Sequence, residues 1–241
     1  MHILDHSCDS PAENLALEEV LLDEVEQGRR ADTLRFWESP TPFVVLGTAQ
    51  KLAQETHEEH CQADGVPIMR RCSAGGCVLQ GPGSLNFALF LRYDTVPEVA
   101  SLHASYAYIG ALLCAALESL GITAARQGVS DIAIDGRKVS GNAQRRRRNA
   151  MLHHGTLLYR ADTDVMARYL REPVDRPEYR ADRDHGAFLT TLPTTPDALR
   201  DALCNEMAPQ GIVDLCRPEE RAAAQALAAE KYDSRAWIYR R

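Results

Sequence analysis

The chain has 241 residues, a formal net charge of −7 and an apolar fraction of 45%, enough for a sizeable core and too apolar for global disorder. The acidic balance argues against a dedicated nucleic-acid binder, and no apolar run approaches the ~18–20 residues of a membrane span. Seven scattered cysteines, an odd number, point to reduced thiols in a cytosol and away from a disulfide framework.

The first stretch, MHILDHSCDSPAEN, is polar and acidic and is no secretory signal, so a cytoplasmic location is expected. A helix is predicted next: Ser10 caps it, Pro11 suits its first turn and Glu13 completes a capping box. Leu17, Val20, Leu21 and Val25 continue at helical spacing until Gly28. TLRFWE and FVVLG read as two strands separated by Ser39-Pro40-Thr41-Pro42. Residues 57–64 predict a helix and 66–71 a strand. The glycine-rich CSAGGCVLQGPG then leads into an apolar strand. A long helix from about 97 to 120 is apolar almost continuously through Ala111 to Leu117, as a well-buried helix would be.

The stretch SDIAIDGRKVSGNAQRRRRNAMLHHGTLLY, residues 130–159, predicts two or three strands around a tight Asp135-Gly136 hairpin turn. Alternation would place Lys138 and Ser140 on one face. Residues 163–170 look helical. Residues 171–193 carry many charges and no period, which marks a functional or mobile segment. Helices at about 196–208 and 218–231 close the chain. Strands and helices mix without regular β-α-β alternation. An α+β fold is therefore expected, a mixed or antiparallel sheet with packed helices in one domain over residues 1–241.

Four groups of residues invite chemistry, and each has a plain structural alternative. RRCSAGGCVLQGPG, Arg70 to Gly83, can present backbone N–H groups and two guanidinium groups to an anion, or it can be a packing loop. It is neither a Walker loop nor a dinucleotide fingerprint. Lys138, followed by Ser140, Gly141 and later His153-His154-Gly155-Thr156, can stabilise charge as a carbonyl is attacked, or it can be an edge charge. His57, His60 and Cys61 of HEEHC have helical spacing but no metal-site motif, and solvated surface is the stronger reading. Cys72 and Cys77 border arginines and glycines, a setting for a reactive thiol or for a buried one.

In order along most of the chain, these segments resemble the lipoate–protein ligase family, related to biotin–protein ligases and class II aminoacyl-tRNA synthetases. ENLALEEVLL and VVLGTAQ open the resemblance, and RRCSAGGCVLQGPGSLNFALF is similar to the family's RRxSGGG segment. SDIAIDGRKVSGNAQ with HHGTLLY is similar to its GKKISGSAQ…HHGTLL segment, and AEKYDSRAWIYRR to its closing KY…W stretch. The resemblance implies a biotin ligase-like catalytic domain that activates lipoate or octanoate with ATP and Mg²⁺ to an acyl-adenylate. The acyl group then passes to one lysine of a carrier domain, of 2-oxoacid dehydrogenases or of the glycine cleavage H protein.

By position, Lys138 is the family's catalytic lysine, contacting both phosphate and acyl carbonyl. Arg71 and the stretch Gly75, Gly76, Cys77, Val78 and Leu79 would hold the nucleotide, with Asp131, Ser140 and Arg183. Asn86, Gly141, His154 and Gly155 would join Gly76 and Lys138 around the acyl substrate. No metal ligand of the protein itself is expected. Residues 171–193 lie where ligases carry a nucleotide-covering loop and are expected to order over ligand. The run Arg145 to Arg148 would guide an acidic carrier, or form a solvated loop.

Related transferases use a cysteine thioester. One branch places it three residues before His-Gly, where this chain has Met151, and another slightly later, where Gly155 to Tyr159 offer none. A third branch uses a distant loop, so octanoyl or lipoyl transfer remains the alternative, as does a non-catalytic lipoyl-binding partner. Departures from the ligase pattern are Ala74 within SAGG, Gln80-Gly81 in place of a His-Asp pair, and no C-terminal accessory domain. A separate partner chain could supply that domain. A GRGRxG-type loop, expected of a biotin ligase, is replaced by RRCSAGG.

Overall fold

The structure is a computed structural model that describes residues 1–173 and 176–241. Its strands are β1 (His2–Asp5), β2 (Thr33–Trp37), β3 (Phe43–Leu46), β4 (Ile68–Arg70), β5 (Val78–Gln80), β6 (Ser84–Arg92), β7 (Ala125–Gln127), β8 (Asp131–Ile134), β9 (Arg137–Arg146), β10 (Ala150–Leu158) and β11 (Ile212–Val213). Its helices are α1 (Pro11–Glu26), α2 (Leu52–Glu55), α3 (Glu58–Ala63), α4 (Leu102–Glu118), α5 (Thr163–Tyr169), α6 (His185–Phe188), α7 (Pro196–Met207), α8 (Pro218–Leu227) and α9 (Arg235–Ile238). A π-helical turn, Ala228–Tyr232, joins α8 to the last residues.

The main sheet runs β11-β1-β2-β6-β10-β9-β8-β7. Its first two pairings are parallel and the rest antiparallel, the mixed sheet of an α+β fold. A smaller sheet, β4-β3-β5, stands beside it. TLRFWE and FVVLG, adjacent in sequence, thus separate into different sheets. Ser39-Pro40-Thr41-Pro42 makes that change of direction possible, since neither proline can donate to a ladder.

Period-two alternation sorts side chains onto two faces. On β6, Leu85, Phe87, Leu89 and Leu91 pack with Ile109, Leu113 and Leu117 of α4 and Leu199 and Leu203 of α7. Ala88 and Phe90 face the other way, toward Leu15, Leu17, Leu21 and Leu22 of α1. Each fully buried leucine of this kind stabilises the fold by ~1.5–3 kcal/mol. Ser10 Oγ caps α1 by accepting from Glu13 N at 3.1 Å. A third cluster, with Val44, Leu79, Met166, Leu170 and Phe188, packs α5 and α6 against the small sheet.

The expected irregular stretch 171–193 is more structured than its composition suggests. It holds a 3-10 turn at Glu178–Arg180 and the short helix α6, while positions 174 and 175 lie outside the described residues. Polar contacts hold it where hydrophobic periodicity is absent, because such contacts join residues far apart in sequence and leave no local pattern.

Candidate active site

A cavity of about 360 Å³ opens between the face of β9 and β10 that looks toward α1, the small sheet, and the 176–192 segment. Leu15, Trp37, Val45, Leu79, Leu158 and Phe188 give it apolar walls. Its size and lining match a small-molecule site with a few fixed polar groups.

Lys138 reaches this cavity because of two backbone devices. Asp135 and Gly136 both adopt positive φ, 48° and 73°, so β8 turns directly into β9. Ile132 then pairs with Ser140 but Ala133 with Lys138, leaving Val139 as an extra residue in a β-bulge. The bulge shifts the alternation by one. Lys138 and Gly141 both line the cavity, whereas Val139 packs in the core with α4. Ser140 is fully buried, its Oγ accepting from Asn142 Nδ2 at 3.3 Å. Lys138 and Ser140 do not share a face, and the Ser140 side chain lies away from the cavity, because simple alternation does not count the extra residue.

The lysine stem lies across Gly141, where an added Cβ would sit 2.7 Å from Nζ. Its ammonium meets Asp131 Oδ1 at 2.8 Å. Tyr179 OH donates to the other Asp131 oxygen, also at 2.8 Å. Burial, then the nearby Asp131 charge, pushes the Tyr179 phenol up, so it stays a donor. Thr190 N donates to the Lys138 carbonyl at 2.9 Å, which pins the strand itself.

The glycine-rich loop is held from beneath by Arg71. Its guanidinium donates to Ser73 Oγ at 2.9 Å, Ala74 O at 2.7 Å and Gly76 O at 2.8 Å. Holding those carbonyls inward leaves Gly75, Gly76, Cys77, Val78 and Leu79 on the cavity wall. Arg70, next in a strand and so on the opposite face, is turned away. It donates to Gly47 O, Gln50 O and Ile238 O at 2.7–2.9 Å, tying the end of the chain to the small sheet. The second guanidinium of the pair is therefore absent from the anion side.

Ser73 continues into a buried relay. Its Oγ lies 2.6 Å from His154 Nε2, and His154 Nδ1 lies 2.6 Å from Glu18 Oε2. Glu18 also accepts from Trp37 Nε1 at 3.0 Å. Burial would raise the Glu18 carboxyl, but His154, Arg35 and Trp37 together outweigh it and hold the group below its usual range. Glu18 escaped sequence reasoning, although an acid within the apolar stripe Leu15, Glu18, Leu22, Val25 of an amphipathic helix is a readable signal. His153, on the opposite face of β10, is a core histidine bonded to Gln144 and Asn142. Burial, with the neighbouring His154 charge, pushes it down to about 3.

Of the other expected residues, Asp131, Asn86, Gly155 and His154 line the cavity, but Arg183 does not. Arg183 donates to Gly136 O at 2.9 Å and to the Arg180 and Tyr179 carbonyls, and lies 5.3 Å from the Phe188 ring. It fastens the 176–192 segment to the lysine hairpin. In the run Arg145 to Arg148, two residues are held internally, Arg146 donating to Val99 O and Ala100 O and Arg147 to Asp23, while Arg148 is exposed. In HEEHC the His57 and His60 rings stack 5.3 Å apart, but His60 Nδ1 pairs with Arg168 O and Cys61 is buried, and no metal-ligand group forms among the described residues. Among the described residues, Cys77 is the cysteine on the cavity wall. Desolvation drives its thiol up despite Arg71, and drives Cys72 up to about 12. Neither is a thiolate near neutral pH.

Comparison with known proteins bears on what this cavity does. A family model for the lipoyl protein ligase A/B catalytic domain matches residues 10–202. A protein of Aeropyrum pernix named as a lipoate-protein ligase A is 32% identical over 73% of this chain, which spans 64% of that relative. The octanoyltransferase LipM of Carboxydothermus hydrogenoformans is 28% identical over 98% of this chain and 97% of its own. Among solved structures, a bi-partite lipoate protein ligase from Thermoplasma acidophilum, studied with its E2 lipoyl domain, superposes with a TM-score of 0.86. That match covers 99% of this chain and 95% of that one at 21% identity, a likeness of fold.

Proposed function

Since the chain belongs to the lipoyl protein ligase A/B catalytic domain family, we propose that residues 1–241 act as one catalytic unit, an ATP-dependent lipoate–protein ligase. Lipoate or octanoate enters between the apolar walls, where each buried methylene contributes about 0.8 kcal/mol. The carboxylate oxygen attacks the α-phosphorus of ATP, the bond to the β-phosphate breaks, and pyrophosphate leaves. The acceptor amine then attacks the acyl carbonyl carbon. The acyl C–O bond to phosphate breaks, AMP leaves, and the amine loses a proton as the amide forms. Lys138 steadies negative charge on phosphate and on the carbonyl oxygen in both steps. Arg71 shapes the loop whose backbone holds the nucleotide.

The cavity wall carries two carboxylates among the described residues, Asp131 and Glu55. That donor set suits Mg²⁺, which binds through one or two carboxylates plus substrate phosphates and needs no cage of protein ligands. Asp131 is the residue that would hold it, in place of the expectation that the protein supplies no metal ligand. Its oxygens, bonded to Lys138 and Tyr179, would be shared with the ion, and the ion would neutralise phosphate charge. The carrier is a lipoyl domain, such as that of a 2-oxoacid dehydrogenase E2 or the H protein. A separate accessory chain is compatible with the bi-partite Thermoplasma ligase. No helix among the described residues is long and apolar enough to cross a membrane, and we place the reaction in the cytoplasm.

The observation that carries the ligase reading is Lys138 aimed into an apolar cavity whose wall cysteine, Cys77, is held as a thiol. A thioester formed on this wall needs an ionisable nucleophile, which Cys77 does not offer; a cysteine in a distant loop belongs to the second reading. The second reading, octanoyl transfer, is favoured by the end-to-end match with LipM. An apo carrier domain given lipoate and MgATP, or octanoyl-acyl carrier protein alone, and then weighed by mass spectrometry, separates them. Modification that requires ATP supports the ligase. Modification from the thioester without ATP replaces it with the transferase.

A further inference from the structure

Gln80 ends β5 with 6% of its surface exposed and lines the cavity. A chain of hydrogen bonds that starts at a backbone carbonyl decides which end of its amide is used. Ser84 O can only accept, so the Asn86 atom facing it at 3.4 Å is Nδ2. Asn86 Oδ1 therefore takes the Thr156 hydroxyl proton at 3.0 Å. Having donated, the Thr156 oxygen accepts from Gln80 Nε2 at 2.7 Å. Among the described residues, Gln80 Oε1 is then left buried and without a partner. Buried carboxamide oxygens are nearly always paired, so an orphan in a substrate cavity selects for a ligand that brings a donor.

The location narrows the donor. Thr156 lies opposite both Asn86 and Gly141 in the sheet, and the Lys138 ammonium lies over Gly141. Thr156 therefore stands about one strand spacing, ~4.8 Å, from the strand that carries the lysine, and the Gln80 amide rests on its hydroxyl. Phosphate and carboxylate oxygens are acceptors themselves and cannot satisfy the orphan oxygen, whereas an amine or a ribose hydroxyl can; only an amine differs between the two nucleotides, or between nucleotide and carrier.

We propose that Gln80 Oε1 accepts a hydrogen bond from a substrate amine, which makes Gln80 a positioning and specificity residue of this site; the inference rests on the function proposed above. Two amines meet in that chemistry, the acceptor lysine of the carrier and the 6-amino group of adenine. For the acceptor lysine the arrangement has a further use. The nearby Lys138 charge disfavours a protonated amine, and a neutral carboxamide can aim the uncharged one at the carbonyl.

The test compares wild type with Gln80→Met, which lacks donor and acceptor, and Gln80→Glu, which keeps an acceptor. One arm titrates ATP and inosine triphosphate, which has no 6-amino group, by calorimetry. The other times single-turnover transfer from preformed acyl-adenylate to apo carrier domain. With adenine as the partner, wild type prefers ATP about tenfold and Gln80→Met erases that preference. With the carrier lysine as the partner, nucleotide binding is unmoved, transfer slows about tenfold in Gln80→Met, and Gln80→Glu restores it. Thr156→Val, which removes the hydroxyl that aims the amide, moves the same quantity and serves should Gln80→Met fail to fold. Folded variants with unchanged preference and transfer overturn the proposal, as does an equal loss for both nucleotides. A wild type that modifies no carrier with any donor overturns the proposed function, and this inference with it.

Discussion

Gly141 is as informative as Lys138. Any side chain there would collide with the lysine stem, 2.7 Å from Nζ, while the strand backbone itself tolerates alanine. Gly141→Ala is therefore expected to lower turnover about 100-fold by displacing the ammonium, in line with the cost of a ~1 Å misplacement. Its melting temperature should stay close to wild type. A variant of unchanged turnover would mean that the ammonium position is not critical. His153 makes a second residue-scale case. Its folded pKa, about 3, lies below its unfolded value, so the unfolded chain binds the extra proton between about pH 6.5 and 3. Stability is fully present above that window and falls with acidification by about 1.4 kcal/mol per pH unit. His6 and His185 are also lowered by burial and add to the slope. Urea midpoints measured between pH 7 and 5 should therefore show a shallower slope in His153→Gln, and equal slopes would remove His153 as a source.

At the scale of elements, two segments are held by polar contacts. From β4 of the small sheet, Arg70 donates to carbonyls of the loop after β3 and of α9, and burial strips its head group of water. Arg70→Ala leaves those carbonyls unpaired and is expected to cost about 3 kcal/mol, read as a lower urea midpoint with early loss of the Trp237 signal. The 176–192 segment is attached through Tyr179 to Asp131, Arg183 to Gly136 O and Thr190 N to Lys138 O. Tyr179→Phe with Arg183→Ala should raise amide exchange of residues 176–192 while leaving α4 protected. Equal exchange would show that apolar contacts of Phe188 alone suffice.

Legibility at this scale divides by the range of the interaction. The α1 cap, the Asp-Gly hairpin, α4, α5 and α7 are visible in local spacing. The two-residue strand β11, the separation of β2 from β3 and the order of 176–192 depend on distant partners, and no short window encodes them. The bulge at Val139 has the same origin: one unpaired residue reverses the face of Ser140, and only pairing with β8 reveals it.

For the whole molecule, the sheet gathers residues from α1, the glycine-rich loop, β6, β9 and β10 around one cavity. Ordered motifs made most of that wall readable, from Arg71 through Leu79 and on to Lys138, Gly141 and His154. Other members were not: Glu18, Trp37 and Tyr179 act through partners 19 to 136 positions away, as with the 136 positions between Glu18 and His154. The resemblance places Arg183 at the nucleotide and the sequence leaves Arg70 open between an anion and packing; carbonyl oxygens of the fold take both guanidinium groups. In the proposed reaction Lys138 stabilises charge while a carboxylate is activated by ATP. Lipoate-dependent exchange of labelled pyrophosphate into ATP, with no carrier present, isolates that step. Wild type is expected to exchange and Lys138→Ala to lose at least about 1,000-fold of the rate; undiminished exchange in that variant, or no exchange in a wild type that still acylates a carrier from a thioester, would overturn the ligase reading.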